Sequence, residues 1–304
     1  MQRQFQVLGG KVAPAPDGFG PVIVFVNPDE DEKRFLVSEY KIDEHTLGSA
    51  LDPDELARLE FEPDHLAVIF KRPKSYSADG SFLLEVASTG AFLFADKLVV
   101  VVSDDAPLFE GLKNGRTTTL KDVLLKMISR AIAHFLEHLK IIDKISDDLQ
   151  TKINSSMENR YLINLFELQK SLVYYLSSIS SNGVLIDKMR LTSSKMGLST
   201  EEAEFLDDIH IENNQCYRQA EVNSNILASL MDARVSIVSN NLNILIKYLN
   251  IITIAIMVPT LVVSVFSMNV RLPLQDRPGS FWMILGLAAV SMLGFGSLWR
   301  LKKW

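Results

Sequence analysis

Two apolar spans lie in the last fifth of the chain, and neither contains a charged side chain. They cover about residues 248–266 and 281–299. Each has about 19 residues, close to the ~20 that a helix needs to cross a hydrocarbon layer of ~30 Å. The connection between them is too short to form a domain. The sequence therefore predicts a helical hairpin in a membrane, preceded by almost all of the remaining chain.

The position of the hairpin predicts the orientation of the chain. The first span begins far from Met1, and the N-terminus lacks the apolar core of a secretory signal. We therefore expect the N-terminal region to stay in the cytoplasm, and two spans return the C-terminus to the same side. The basic tail, with Arg300, Lys302 and Lys303, fits a cytoplasmic end. The prediction is a multi-pass protein of the cell (inner) membrane with both termini cytoplasmic.

Charge and cysteine usage narrow the class of the soluble part. Residues 1–115 contain 11 Lys and Arg against 20 Asp and Glu. Such an acidic region argues against a nucleic-acid partner, which would require a basic face. The single cysteine, Cys216, excludes an intrachain disulfide and agrees with a reducing compartment.

Residues 1–117 are predicted to form a cytoplasmic α/β domain. A helix is expected to start at Asp52, which precedes a proline and two acids. Turns are expected at residues 78–80 (ADG) and 88–90 (STG), each of which ends in a glycine. The β-rich runs that predict strands are 21–26, 66–70, 82–86, 91–94 and 98–102.

Residues 118–247 are predicted to form a long α-helical stalk, and residues 248–304 form the two-span hairpin with its basic tail. The stalk has few glycines and no proline, and breaks are expected near 181–183 and 196–199. Ser199 and Glu202 have the spacing of a capping box, which predicts the start of the last helix. No proline follows until Pro259, so the helix is expected to continue to residue 266.

An apolar seam follows one face of this last helix. Its spacing of three or four residues indicates lateral packing on other helices. A stalk that continues into a membrane span is typical of an oligomer. The seam consists of Leu227, Met231, Val235, Val238, Leu242, Leu245 and Leu249.

A second face of the helix carries a polar stripe. Lipid would penalise such a face, whereas several copies around an axis could turn it inward to line a water-filled path. The alternative is that the hydroxyl groups bond back to carbonyls four residues earlier, which we expect for Thr253, Thr260 or Ser264 taken singly. The stripe as a whole, with two asparagines, predicts a pore. It consists of Ser236, Asn243, Asn250, Met257 and Ser264 at intervals of seven, with Thr253, Thr260 and Ser267 at intervening half-steps.

These residues resemble the CorA-type magnesium transporter family. The matching segments are residues 239–243 (SNNLN), Lys247, 250–253 (NIIT) and 257–260 (MVPT). The tripeptide Ser267-Met268-Asn269 also matches, although the family has Gly-Met-Asn there. The order of a stalk, a long helix, two spans and a basic end is similar over residues 120–304.

The resemblance implies a homopentameric cation channel whose central pore is lined by the first span. Asn243 would lie at the cytoplasmic end of the pore, and Leu249 and Met257 would form apolar constrictions. Thr260 would be a polar residue between them and the outer mouth, where Asn269 would form a ring. Such a ring suits Mg²⁺, which sheds water reluctantly, because amide oxygens can accept hydrogen bonds from a hydrated ion.

The resemblance also implies cytoplasmic cation sites between subunits that hold the channel closed. Asp208 matches the stalk position of that site, and Asp207 precedes it. The partner acid would belong to the N-terminal domain. An ordinary alternative is that two acids early in a long helix complement its dipole and are solvated.

Three departures from the family leave the transported ion open. Ser267 replaces the glycine, and the family proline lies one position earlier, at Val258. Arg271 and Arg277 occupy an outer loop that is acidic in the family. Arginines near the mouth would repel divalent cations, so a channel for a monovalent cation or an anion is one alternative.

Residues 134–138 (HFLEH) match the H-x-x-E-H pattern of some zinc peptidases. His134 and His138 share a helix face and could ligate a metal. No third ligand stands out, and the surrounding helix is a stalk candidate, so catalysis is not expected.

The expected function is a homo-oligomeric channel, not an enzyme, that passes divalent cations down their electrochemical gradient. Mg²⁺ is favoured over Co²⁺, Ni²⁺ and Zn²⁺ as the transported ion, and a divalent cation in the cytoplasm would regulate gating. No cofactor is expected, and the partners are other copies of the chain, the bilayer and the cation. A non-conducting membrane scaffold or sensor is the alternative from another class.

Overall fold

The structure, a computed structural model, describes residues 1–8, 10–16, 18–74, 84–110, 119–155, 159–268 and 278–302. It divides into two compact units, Met1–Met231 and Asp232–Trp304. The strands are β1 (Gln2–Leu8), β2 (Lys11–Pro14), β3 (Val22–Val26), β4 (Arg58–Phe61), β5 (Leu66–Pro73), β6 (Val86–Leu93) and β7 (Leu98–Val102). The helices are α1 (Glu30–Glu39), α2 (Glu44–Leu51), α3 (Leu120–Ser155), α4 (Asn159–Leu191), α5 (Ser193–Met196), α6 (Thr200–Phe266) and α7 (Ser280–Lys302).

The strands form one mixed sheet in the order β2-β1-β3-β7-β6-β5-β4. Only the β3–β7 pair is parallel among the described strands, and Val24 of β3 lies opposite Val100 of β7. The other neighbours are antiparallel. Because a parallel pair needs a crossover connection, α1, α2 and three strands lie between β3 and β7 in the chain.

Successive residues of the central strands point to opposite faces of the sheet, as the two-residue period of a strand requires. On β3, Val22 and Val24 belong to one buried core, whereas Ile23 and Phe25 belong to the other. The first core is shared with α3 and α4, and the second with α1 and α2. Both faces are therefore covered, which confirms the predicted α/β class.

Aspartate side chains cap the N-termini of the first two helices. Asp29 and Glu32 form a complete capping box at the start of α1, and Asp43 accepts from the backbone N–H of Thr46 at the start of α2. The predicted helix start at Asp52 is wrong. Asp52 instead follows the end of α2, and its carboxylate accepts from the backbone N–H of Asp54 in a turn.

The predicted turn at residues 88–90 is also wrong, because β6 runs through it without a break. Gly90 is needed there for close packing. A Cβ on Gly90 would lie 2.5 Å from the Cβ of Ala50, so only glycine lets α2 approach the sheet. The other predicted turn, at 78–80, lies outside the described residues.

Helices α3 and α4 pack against the sheet, and α4 passes through the break that was expected near residues 181–183. The polar residues there bond to the sheet instead of ending the helix. Ser181 Oγ accepts from the backbone N–H of Ala57 at 2.6 Å, and Asn182 bonds to the backbone of Lys71. That prediction therefore misread helix-to-sheet contacts as a break.

The break expected near residues 196–199 is confirmed. Gly197 ends α5 in the left-handed conformation with φ of 65°. The capping box that follows is also present. The backbone N–H of Ser199 donates to Glu202 at 2.8 Å, and the backbone N–H of Glu202 donates to Ser199 Oγ at 3.2 Å.

Helix α6 continues through Pro259 to its end, as predicted. Helices α6 and α7 both contain a segment long and apolar enough to cross a membrane. None of the residues in the apolar window of α6 is buried, and 6% of those in the α7 window are. Exposed apolar helices of this length fit lipid better than the core of a soluble protein. The boundaries predicted at 117 and 247 remain predictions.

Candidate functional site

The polar stripe lies on the second unit, along the C-terminal half of α6. The asparagines and Met257 are exposed, and Met257 is 63% exposed. Seven residues of helix rise about 10.5 Å, so Asn243, Asn250 and Met257 form steps of that height along one face. In a single chain this face has no protein cover among the described residues.

Hydroxyl groups of the stripe bond back to their own helix. Thr253 Oγ1 donates to the carbonyl of Leu249 at 2.8 Å, and Thr260 Oγ1 donates to that of Ile256 at 2.7 Å. The alternative in which a hydroxyl group bonds to the carbonyl four residues earlier is therefore confirmed for these two threonines. Their oxygen lone pairs remain available, so each side chain presents an acceptor and no free donor.

Ser236 makes the same kind of bond, to the carbonyl of Asp232 at 3.0 Å, and Ser267 Oγ donates to the carbonyl of Ser264 at 2.9 Å. The hydroxyl of Ser264 makes no such bond to any residue that the structure describes. Acceptor oxygens thus predominate along the stripe.

Asn243 and Asn250 differ from the hydroxyl residues. Their amides make no hydrogen bond to any other described side chain or backbone group, and both residues are exposed. Each amide offers a carbonyl oxygen and an NH₂ group to water or to a hydrated ion. These two positions are the most available polar groups of the stripe.

The apolar seam changes from buried to exposed along α6. Leu227 is 1% exposed, whereas Leu242, Leu245 and Leu249 are 53%, 61% and 63% exposed. Apolar residues of this size at heptad spacing are stabilised by packing on another helix. One copy of the chain therefore leaves this part of the seam uncovered.

Part of the Ser267-Met268-Asn269 motif is described. Ser267 follows the end of α6, and Met268 is 54% exposed. Asn269 and the loop arginines, Arg271 and Arg277, lie outside the described residues, so their predicted roles are not tested by the geometry.

The structure distinguishes the two acids of the predicted regulatory site. Asp207 accepts from Arg190 Nε at 2.6 Å, which joins α6 to α4. Asp208 is exposed, and its carboxylate has no partner among the described residues. No group of three His, Cys, Asp or Glu side chains in the described part of the chain could hold a metal ion. A cation bound to Asp208 would therefore need further ligands from outside the described residues of one chain.

A polar chain next to these acids was not anticipated from the sequence. His210 lies 3.0 Å from Asp187 through Nδ1 and 2.8 Å from the Asn214 amide through Nε2. Arg190 also lies 3.8 Å from Asp187. The four-residue spacing of His210 and Asn214 was the available signal, because it places both on one helix face.

The H-x-x-E-H residues have structural partners. The ring of His138 is buried and its Nδ1 lies 2.6 Å from the hydroxyl of Tyr175. Burial lowers the pKa of His138 to about 4, with a further contribution from His134. Glu137 accepts from Arg130 at 2.8 Å. The glutamate is thus paired, and one histidine is fixed in a helix-to-helix hydrogen bond.

Comparison with known proteins places these features in a family. The family model described as CorA-like Mg²⁺ transporter protein matches residues 23–303. The cobalt/magnesium transport protein CorA of Methanocaldococcus jannaschii is 23% identical over 292 residues, which cover 91% of this chain and 89% of that protein.

Solved structures show the same fold. The complete structure of the CorA magnesium transporter from Methanocaldococcus jannaschii matches with a TM-score of 0.82 at 19% identity, over 98% of this chain and 96% of that one. The full-length CmaX protein matches with a TM-score of 0.73 at 13% identity, over 99% of this chain and 97% of that one.

Proposed function

Because the chain belongs to the CorA-like Mg²⁺ transporter family, we propose that it forms a homo-oligomeric membrane channel for divalent cations. Mg²⁺ is the proposed principal ion, and Co²⁺, Ni²⁺ and Zn²⁺ are further candidates. The observation that carries this proposal is the polar stripe on α6. It ends in the apolar span and contains the unpartnered amides of Asn243 and Asn250.

Several copies of α6 are needed to make a pore. Lipid would penalise the exposed stripe, and the exposed seam residues Leu242, Leu245 and Leu249 would need a helical partner. Turning the stripe toward a common axis and packing the seam on a neighbour meets both requirements. We propose five copies, the number that the family resemblance implies.

Ions would pass this pore with most of their water retained. Amide oxygens of Asn243 and Asn250 would accept hydrogen bonds from the hydration shell, as would the acceptor oxygens of Thr253 and Thr260. Rings of Leu249 and Met257 would narrow the path and could close it by excluding water. The membrane potential supplies ~2.3 kcal/mol per charge per 100 mV, and thus about twice that for a divalent ion.

Asn269 is proposed as the selectivity ring at the outer mouth, with Ser267 and Met268 setting its position at the end of α6. Five amide oxygens without a carboxylate would recognise a hydrated cation and still release it. Both termini are proposed to lie in the cytoplasm of a cell whose inner membrane holds the two spans.

Gating is proposed to depend on Asp208. Its carboxylate has no described partner within the chain, so a cation could bridge it to an acid of a neighbouring copy. Loss of that cation would leave like charges facing each other, which favours separation of the stalks. Asp207, already paired with Arg190, would take a smaller part.

A channel with different ion preference is the second candidate. The residues that favour it are Ser267, in place of the family glycine, and Arg271 and Arg277 near the mouth. Such a channel would carry a monovalent cation or an anion. A scaffold or sensor without conduction is the third candidate.

Ion flux from proteoliposomes distinguishes these functions. Mg²⁺, Co²⁺, Ni²⁺, Zn²⁺, Na⁺ and Cl⁻ should be compared under the same inside-negative potential, with empty liposomes as the control. The proposal expects divalent cation entry to exceed that of Na⁺ and Cl⁻. Larger Na⁺ or Cl⁻ flux would support the second candidate, and no flux from an intact oligomer would support the scaffold.

A further inference from the structure

Two histidines of α3 lie one helical turn apart on the same face of the helix. The ring centres of His134 and His138 are 4.4 Å apart, and the ring planes make an angle of 72°. This separation is shorter than the ~5–6 Å between Cβ atoms four residues apart, so the rings lean toward each other. No carboxylate in the described part of the chain forms an ion pair with either ring. Neither histidine belongs to the proposed ion path.

Tyr175 on α4 holds the ring of His138 in place. The hydroxyl oxygen of Tyr175 lies 2.6 Å from Nδ1 of His138, and Tyr175 is fully buried. With the proton on Nδ1, the histidine donates to this oxygen and Nε2 keeps a free lone pair. A hydrogen bond from the other ring nitrogen is the usual way in which a protein orients a metal-binding histidine.

The remaining ring nitrogens of the two histidines are free. Nε2 of His138 and both ring nitrogens of His134 make no hydrogen bond to any described residue. None of the three is among the unpartnered polar atoms that are sealed from solvent in the described part of the chain. They differ in this respect from Nδ1 of His65, which is buried without a partner. Each of the three nitrogens is therefore in contact with solvent.

Both imidazoles are neutral near pH 7, which is the form that binds a metal ion. Burial lowers the pKa of His138 to about 4. Burial also lowers the pKa of His134, and the charge of Arg130 acts in the same direction. The charges of Arg130 and of the nearby Arg72 are each offset by a paired carboxylate. The surroundings of the histidine pair therefore contain no unpaired cation that would repel a metal ion by direct contact.

The separation of the rings indicates which metal ions would fit. With metal–nitrogen distances of ~2.1 Å, ring centres 4.4 Å apart correspond to an angle of ~90° at a shared ion. Neighbouring ligands of an octahedral or square-planar ion have this angle, whereas those of a tetrahedral zinc ion have ~109°. Ni²⁺ and Cu²⁺ combine such geometries with a preference for imidazole, but Mg²⁺ takes oxygen ligands.

We propose that His134 and His138 form a chelating site for Ni²⁺ or Cu²⁺, with Tyr175 as a positioning residue. Each histidine would supply one nitrogen ligand from the same face of α3. No group of three His, Cys, Asp or Glu side chains in the described residues could complete the site, so water would fill the other positions around the ion. The site would bind an imidazole-preferring ion in the presence of Mg²⁺, and it is independent of ion conduction.

Calorimetric titration of the untagged, full-length protein in detergent with Ni²⁺ tests this site. Excess Mg²⁺ is present to occupy sites that are built from oxygen ligands. We expect saturable binding of one Ni²⁺ per chain. His134→Gln and His138→Gln should each weaken the affinity more than about tenfold, because each removes a ligand, and Tyr175→Phe should weaken it less. His45→Gln, at an exposed position on α2, is the matched control and should bind Ni²⁺ as the unmodified protein does.

Electron paramagnetic resonance of bound Cu²⁺ counts the nitrogen ligands directly. We expect coupling to two imidazole nitrogens in the unmodified protein and to one in His134→Gln. This variant keeps the bond between His138 and Tyr175, so it decides the outcome if His138→Gln does not fold. Its Mg²⁺ flux should be unchanged, which separates this site from the proposed channel. An absence of saturable Ni²⁺ binding in excess Mg²⁺, or equal Ni²⁺ affinity or equal nitrogen coupling in His134→Gln and the unmodified protein, would overturn the proposal.

Discussion

The side-chain amide of Asn182 pairs with the backbone of Lys71 through both of its groups. Asn182 Oδ1 accepts from the Lys71 N–H at 2.8 Å, and Asn182 Nδ2 donates to the Lys71 carbonyl at 2.9 Å. Strand β4 begins at Arg58, which lies opposite Ile69, so none of the described strands pairs with this edge of β5 at Lys71. A helix side chain takes the place of the missing strand.

Asn182→Ala should destabilise the first unit by about 3 kcal/mol, because it leaves a buried N–H and a buried carbonyl without partners. Denaturant unfolding of the full-length protein, monitored by far-ultraviolet circular dichroism, measures this loss of stability. Ser180→Ala, at an exposed position on the same helix, should change stability by less than about 0.5 kcal/mol. Equal stability of the two variants would contradict the assigned role of Asn182.

Stability should fall between about pH 6.5 and pH 4 through His138. The pKa of this buried ring is about 4 in the folded chain, against an ordinary value near 6.5. The unfolded chain therefore binds more protons within this window, and stability is lost as the pH falls. The loss amounts to about 3 kcal/mol once the pH reaches the folded pKa.

His138→Gln should reduce this pH dependence, since glutamine does not titrate and can still bond to Tyr175. Thermal unfolding of the full-length protein from pH 7.5 to pH 4 provides the measurement. His45→Gln, at an exposed position, is the control and should keep the original slope. Part of the slope should persist in His138→Gln, because burial also lowers the pKa of His134. An unchanged slope in His138→Gln would show that this histidine does not carry the effect.

The regulatory proposal predicts different effects for two adjacent acids. Asp208→Asn should weaken the protection from proteolysis that Mg²⁺ gives the full-length protein, because a cation loses a ligand at the proposed interface. Asp207→Asn should retain most of that protection, since Asp207 is already paired with Arg190. Limited proteolysis over a series of Mg²⁺ concentrations compares them. Unchanged protection in Asp208→Asn would remove the sensor role.

The sequence was most informative where one local rule decided the structure. The long α6 follows from its capping box at Ser199 and from an apolar pattern that no glycine interrupts. The two spans follow from length and charge alone. The order of these elements corroborates the family resemblance of the motif segments in residues 239–269, so the fold class could be predicted from the sequence.

Two of the wrong predictions came from residues whose role depends on distant parts of the chain. Asn182 and Gly183 resemble a helix end locally, but the tertiary contact with Lys71 explains the asparagine. Gly90 resembles a turn residue in the local sequence, but glycine is needed there because a Cβ would clash with the side chain of Ala50. In the candidate site, no local sequence pattern indicates that Arg190 pairs with Asp207. Local patterns do not report such long-range partners.

Asn269→Ala should abolish or strongly reduce Mg²⁺ flux and lower the preference for divalent over monovalent cations. The proposed ring of five amide oxygens would then be lost from the outer mouth. Flux into proteoliposomes measures the effect, and Ser291→Ala on α7 is the control with unchanged flux expected. Unchanged Mg²⁺ flux in Asn269→Ala would show that the selectivity ring is assigned wrongly.

Thiol labelling of the first span tests most directly whether the polar stripe lines the ion path. Asn250→Cys places a thiol on the stripe, and Ile252→Cys places one about 200° around the same helix. Both positions are exposed in a single chain, and the native Cys216 is buried. We predict that a charged, membrane-impermeant thiol reagent blocks Mg²⁺ flux through Asn250→Cys and leaves Ile252→Cys and the unmodified protein unaffected. Equal block in the two variants, or no block in a labelled Asn250→Cys channel, would contradict the account.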